Sequence, residues 1–149
     1  MSAIARLAGS LMLLLLAAAS AANGQNKVPA ARPLEALVKS SLLTFNDANV
    51  TGNYTVLHAR ISKPFAQKFP PDKLKEAFKD FNEKSIDIDV VSAMTPVYDE
   101  PPLVDPDGKL LLKGHFATEP TRVKFELDFI PSDGEWKLIR LHVVLGAAP

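Results

Sequence analysis

Apolar residues recur at helical spacing through the first part of the chain and at alternating spacing through the second. Leu34, Leu37, Val38, Leu42 and Phe45, with Ser41 between them, share one helical stripe, and Pro33 suits a first turn, so a helix is expected from Pro33 to about Asp47. Asn49 to Gly52 reads as its break. A second helix from about Asn53 carries Tyr54, Leu57, His58 and Ile61 on one stripe, with Asn53 as cap. Ser62-Lys63-Pro64 interrupts it, and a turn from Pro64 to Phe69 leads to Pro70-Pro71-Asp72. A third helix follows, with Leu74, Ala77, Phe78 and Phe81 inward and Lys73, Lys75, Glu76, Lys79 and Asp80 outward.

The period then changes from about 3.6 to 2. Ile86, Ile88 and Val90 alternate with Asp87 and Asp89, which predicts a half-buried strand continuing less regularly to Tyr98. Asp99 to Gly108 is a proline-rich loop. Leu110, Leu112, Gly114 and Phe116 mark a second strand, Val123, Phe125, Leu127 and Phe129 a third, and Ile139, Leu141, Val143 and Leu145 a fourth. The expected class is α+β, with three N-terminal helices packed on one face of a bent antiparallel sheet of about four strands. Ser132-Asp133-Gly134 suits a three-residue hairpin loop. Counting outward sets Ile130 opposite Trp136, Asp128 opposite Leu138, Glu126 opposite Arg140 and Lys124 opposite His142. Across the turn before the third strand, Lys113 falls beside Glu126 and His115 beside Lys124, giving one apolar and one charged face.

Ahead of the domain, Arg6 precedes the apolar run Leu11 to Ala19 and the small residues Ser20-Ala21-Ala22, the three parts of a secretory signal. The run falls short of the ~20 apolar residues that span a bilayer, so residues 1–22 read as a cleaved signal peptide and the protein as exported, periplasmic or extracellular, with no membrane association afterwards. Residues 23–32 form a flexible leader, 33–145 the domain and 146–149 a tail. The chain has no cysteine, which excludes disulfides, zinc-thiolate sites and thiol nucleophiles. Seventeen basic residues balance seventeen acidic ones, so no global field recruits nucleic acid.

Three leading helices, a tyrosine opening the second, and an antiparallel sheet ending in Gly134-Glu135-Trp136-Lys137-Leu138-Ile139 resemble the nuclear transport factor 2-like superfamily of cone-shaped, cystatin-like α+β domains. Ser62-Lys63-Pro64-Phe65 with Phe69-Pro70-Pro71 resembles small exported bacterial members of unassigned function. The resemblance covers roughly Leu34 to Leu145 and implies a conical pocket between helices and sheet. In that superfamily such pockets serve enzymes, ligand binders and dimerisation modules alike.

Chemistry-bearing motifs are few. The glycines form neither a phosphate loop nor a dinucleotide turn, no nucleophile elbow is present, and the three histidines lack zincin spacing. His115 and His142 flank Lys124, whose ammonium opposes a metal between them, and Asp105-Pro106-Asp107-Gly108 lacks the later ligands of a calcium loop. Asp87 and Asp89 have no third ligand. No metal and no cofactor is expected. The superfamily's isomerases and dehydratases resemble one another in placing a carboxylate or histidine with tyrosine inside the cone, and here the apolar strand faces offer none.

Tyr54 and His58, one helical turn apart with Asp47 nearby, are the remaining candidates. The leading expectation is a non-catalytic exported domain that binds a small apolar or amphipathic ligand, or a protein partner. Its site would be an apolar cavity walled by Phe116, Phe125, Leu127 and Leu141, with room at Gly114 and with Tyr54 and His58 as its polar groups. The alternative is a cofactor-free isomerase or lyase using Tyr54 and His58. Leu111, Ile130, Trp136 and Leu138 are expected to gather on the outer face and support a homodimer.

Overall fold

A computed structural model describes residues 27–147. The expected signal peptide and most of the leader lie outside the described residues. Among the described residues, no helix is long and apolar enough to cross a membrane.

The α+β class stands, with the helices N-terminal to a five-stranded antiparallel sheet. Helix α1, Ala31–Thr51, runs a turn beyond its expected end and stops at Gly52, whose φ of 71° is the left-handed conformation that glycine adopts without strain. Free asparagine side chains compete with a helix for backbone hydrogen bonds, but those of Asn46 and Asn49 are engaged elsewhere, so α1 continues past them. Helix α2, Thr55–Arg60, follows Asn53, whose Oδ1 accepts hydrogen bonds from the Thr55 amide and hydroxyl.

Where a turn was expected, Lys63–Lys68 form helix α3; Pro64 sits in its first turn, where a missing N–H costs nothing. The anticipated third helix is two short ones, α4 (Pro71–Ala77) and α5 (Lys79–Glu83), parted at Phe78. The inward phase survives the break, since Phe78 and Phe81 both meet Phe45 edge-on, at 4.9 and 5.1 Å between ring centres.

The strand expected from Ile86 does not form. Asn46 Oδ1 accepts the Ile88 amide at 2.9 Å and Asn46 Nδ2 donates to Asp87 at 2.8 Å, which takes this backbone out of any ladder. A 3₁₀ turn, Asp89–Ala93, follows and buries Ile88 and Val91, three residues apart rather than two. Only β1, Val97–Tyr98, pairs with the sheet. The proline-rich loop contributes a further short strand, β2 (Leu103–Val104), on the same edge.

Strands β3 (Leu110–Phe116), β4 (Thr121–Ser132) and β5 (Glu135–Ala147) form the meander that the alternation predicts. The β3–β4 register sets Lys113 beside Glu126 and His115 beside Lys124, as counted from the sequence. The β4–β5 register differs. Asp133 and Gly134, at φ 50° and 80°, make a two-residue turn, so Trp136 faces Pro131 and Leu138 faces Phe129. A bulge at Ile139 then restores the phase, setting Arg140 opposite Asp128 and His142 opposite Glu126.

The charged ladder therefore survives a wrong count. Lys113 Nζ lies 3.7 Å from Glu126 Oε1, and Arg140 Nη2 lies 2.8 Å from Glu126 Oε2. The proposed dimer patch does not survive it. Below the bulge the strand presents Leu138, 4% exposed, and Trp136 to the helix side, while Leu111 and Ile130 remain on the other face.

Candidate functional site

The residues expected to wall a cavity are packed. Phe116, Phe125 and Leu127 are no more than 2% exposed and Leu141 is 8% exposed, with the Phe116 and Phe125 rings 5.8 Å apart. Gly114 leaves no room: a Cβ there would lie 2.2 Å from the Val97 carbonyl oxygen and 2.9 Å from Phe125 Cζ. The glycine admits β1 against β3 and makes no space for a ligand.

Tyr54 and His58 are brought near the helical core but not to a common opening. The buried Tyr54 hydroxyl donates to Asn49 Oδ1, and burial raises its pKa, so it stays a neutral donor. His58 Nε2 lies 3.0 Å from the Ala66 carbonyl oxygen, to which it donates, tying α2 to α3. Asp47 is exposed on α1. On the sheet, His115 Nδ1 pairs with Asp99 Oδ1 at 2.7 Å, and His142 stands across from Glu126 rather than beside Lys124. Among the described residues, no three His, Asp or Glu side chains are grouped to hold a metal ion.

None of the six expected residues lines either of two surface clefts that open elsewhere. One, of about 240 Å³, is on the outer face between the Glu100–Leu103 segment and the charged ladder. Its charges answer one another: Lys113 Nζ is 3.5 Å from Glu100 Oε1 and also reaches Glu126, which holds Arg140. Asp128 lies in the same cleft, and burial raises its carboxyl pKa although Arg140 and Lys109 pull it down.

The other cleft, of about 170 Å³, opens where the β4–β5 hairpin leans over α1 and α2. Leu57, Ile61, Phe129 and Leu138 give it an apolar floor, and Trp136 and Leu37 stand at its side. Ser40 and Ser41 both donate to the Leu37 carbonyl, so their hydroxyl protons are already committed. The Arg60 guanidinium is tethered by one bond, Nη1 to Thr44 Oγ1 at 3.0 Å, and makes no ion pair among the described residues. Glu135 and Lys137 border the mouth, the lysine 3.8 Å from Asp133.

Sequence reasoning missed this site because it placed Trp136 and Leu138 on the wrong face and gave Arg60, an exposed side chain of α2, no role. The signal was nevertheless present, since Leu37, Ser40, Ser41 and Thr44 form a small, weakly polar stripe at spacings of three and four beside an otherwise apolar one. Compared with known proteins, the chain matches no protein family, no curated protein and no solved structure.

Proposed function

We propose that this is an exported, non-catalytic binding domain whose ligand is a small amphipathic molecule held in the cleft between the β4–β5 hairpin and helices α1 and α2. The observation that carries the reading is the make-up of that cleft: the apolar side chains Leu57, Ile61, Phe129 and Leu138 beside polar ones and a tethered guanidinium that makes no ion pair among the described residues. Apolar side chains with polar groups placed among them are the usual composition of a small-molecule site. Its size sets the ligand, since a cavity of about 150 Å³ accommodates a benzene-sized molecule. The signal-like N-terminus supports export, and the order of helices followed by a Trp-bearing sheet supports kinship with the nuclear transport factor 2-like superfamily. No observation favours the isomerase reading, because Tyr54 and His58 hold separate structural partners away from the cleft.

Trp136 is the only tryptophan in the chain and borders the cleft, so its emission reports occupancy directly. Titration with benzyl alcohol and with 1-hexanol is expected to give a saturable emission change with a Kd on the order of 1 mM. Ser40→Phe, which fills the cleft from α1, should abolish it with the far-UV spectrum unchanged. A linear, non-saturating response, or one that Ser40→Phe leaves intact, overturns the proposal.

A further inference from the structure

Building on that reading, we infer that the cleft selects a monocarboxylate, an aromatic or short-chain acid whose carboxylate meets the Arg60 guanidinium while its apolar body lies against Trp136. Arginine carries five N–H donors in a planar fork that matches a carboxylate edge to edge. The tether to Thr44 Oγ1 occupies one of them and fixes the head of a side chain that would otherwise sample many rotamers. Thr44 is itself 8% exposed on α1, so the tether belongs to the packed part of the molecule. A guanidinium held in this way retains donors for a ligand and loses little freedom on binding it.

The cations of the two clefts differ in their partners. Each cation of the outer-face cleft already has a carboxylate partner, and Lys63 and Lys137 share Asp133 at 3.9 and 3.8 Å. Arg60, an exposed side chain at the rim of the cleft, lies beside apolar Leu57 and Ile61 without one among the described residues. On an open surface a single ion pair contributes little. In the cleft, an apolar ligand body displaces water from one side of the pair, which strengthens the attraction. The serine hydroxyl protons are committed to Leu37, which leaves the Arg60 guanidinium to donate, and a carboxylate can take two of its N–H groups at once with charge assistance that an alcohol oxygen lacks. Glu135 at the mouth adds a repulsion felt most by a second negative charge, which favours a monoanion over a dianion.

The probes are benzoate, benzyl alcohol and phthalate, read by Trp136 emission and by calorimetry on the wild-type chain, Arg60→Gln and Arg60→Lys. Wild type is expected to bind benzoate roughly tenfold more tightly than benzyl alcohol and to bind phthalate less well than benzoate, with the benzoate preference shrinking in high salt. Arg60→Gln should erase the preference of benzoate over benzyl alcohol, and Arg60→Lys should recover only part of it because the fork is lost. Equal wild-type affinity for benzoate and benzyl alcohol, or a preference that survives in Arg60→Gln, overturns the carboxylate assignment and leaves the cleft as a neutral-ligand site. Failure of all three probes to bind overturns both readings together. The wild-type comparison stands even if a variant misfolds.

Discussion

Asn46 and Asn49 are 4% and 1% exposed, and each directs its side chain away from its own helix. Asn46 holds the chain at Asp87 and Ile88, and Asn49 holds the Tyr54 hydroxyl, while its carbonyl accepts from Asn82 Nδ2 at 2.7 Å. These contacts determine which backbone amides remain free for a sheet, and Asn46 removes the first of those expected. Asn46→Ala leaves the buried Ile88 amide without a partner and is expected to cost about 1–3 kcal/mol at pH 7, measured by urea denaturation. The Asn46 hydrogen bond, followed by the Asp89 backbone amide, holds the Asp87 carboxyl below its ordinary pKa. A depressed carboxyl pKa contributes stability above the unfolded-state value, and that contribution disappears as pH falls through the folded-state value. The gap between wild type and Asn46→Ala should therefore narrow below about pH 4, with the Asp87 titration moving up in the variant. A gap that widens with acid, or an unchanged Asp87 midpoint, contradicts this account.

At the scale of elements, β3, β4 and β5 were legible because each has one face in the core and one in solvent, so burial alone fixes the alternation. The expected strand from Ile86 to Tyr98 showed the same alternation over three residues, but a hydrogen bond from a distant helix overrode it, and no local pattern reports such a partner. The hairpin was half legible. Asp133-Gly134 is a strong two-residue turn signal, but with an unbroken register such a turn drives Arg140 and His142 to the core face. The adjacent apolar pair Leu138-Ile139 marks the phase slip that resolves the conflict, since Leu138 closes one inward series and Leu141 opens the next. With both turn residues at positive φ, Gly134→Ala should cost about 1–2 kcal/mol, and Asp133→Asn should be neutral or mildly stabilising. Thermal melts of the two variants test this. An unchanged Gly134→Ala melt would mean that the turn is not held in the left-handed region.

Across the whole molecule, one hydrophobic cluster runs from Leu34 on α1 through Phe65 and Leu74 to Phe129, Leu138 and Val143 of the sheet. The short helices α2 to α5 are each too brief to persist alone in water, so they depend on that shared core for their existence. The candidate cleft sits at one edge of this packing, where the bulged end of β5 and α2 meet over α1, which explains why it remains open while the interior is closed. Helix and sheet layers should consequently unfold as one unit. Phe45 is the sharpest probe, being fully buried and in edge-on contact with both Phe78 and Phe81. Phe45→Ala is expected to cost about 3–5 kcal/mol through lost burial and the cavity left behind. Far-UV dichroism, dominated by the helices, and Trp136 emission, which reports the hairpin, should give coincident urea transitions in wild type and should shift together in the variant. If Phe45→Ala melted the helical signal first and left the tryptophan transition in place, the two layers would be separate cooperative units, and the cleft between them would open before the sheet unfolds.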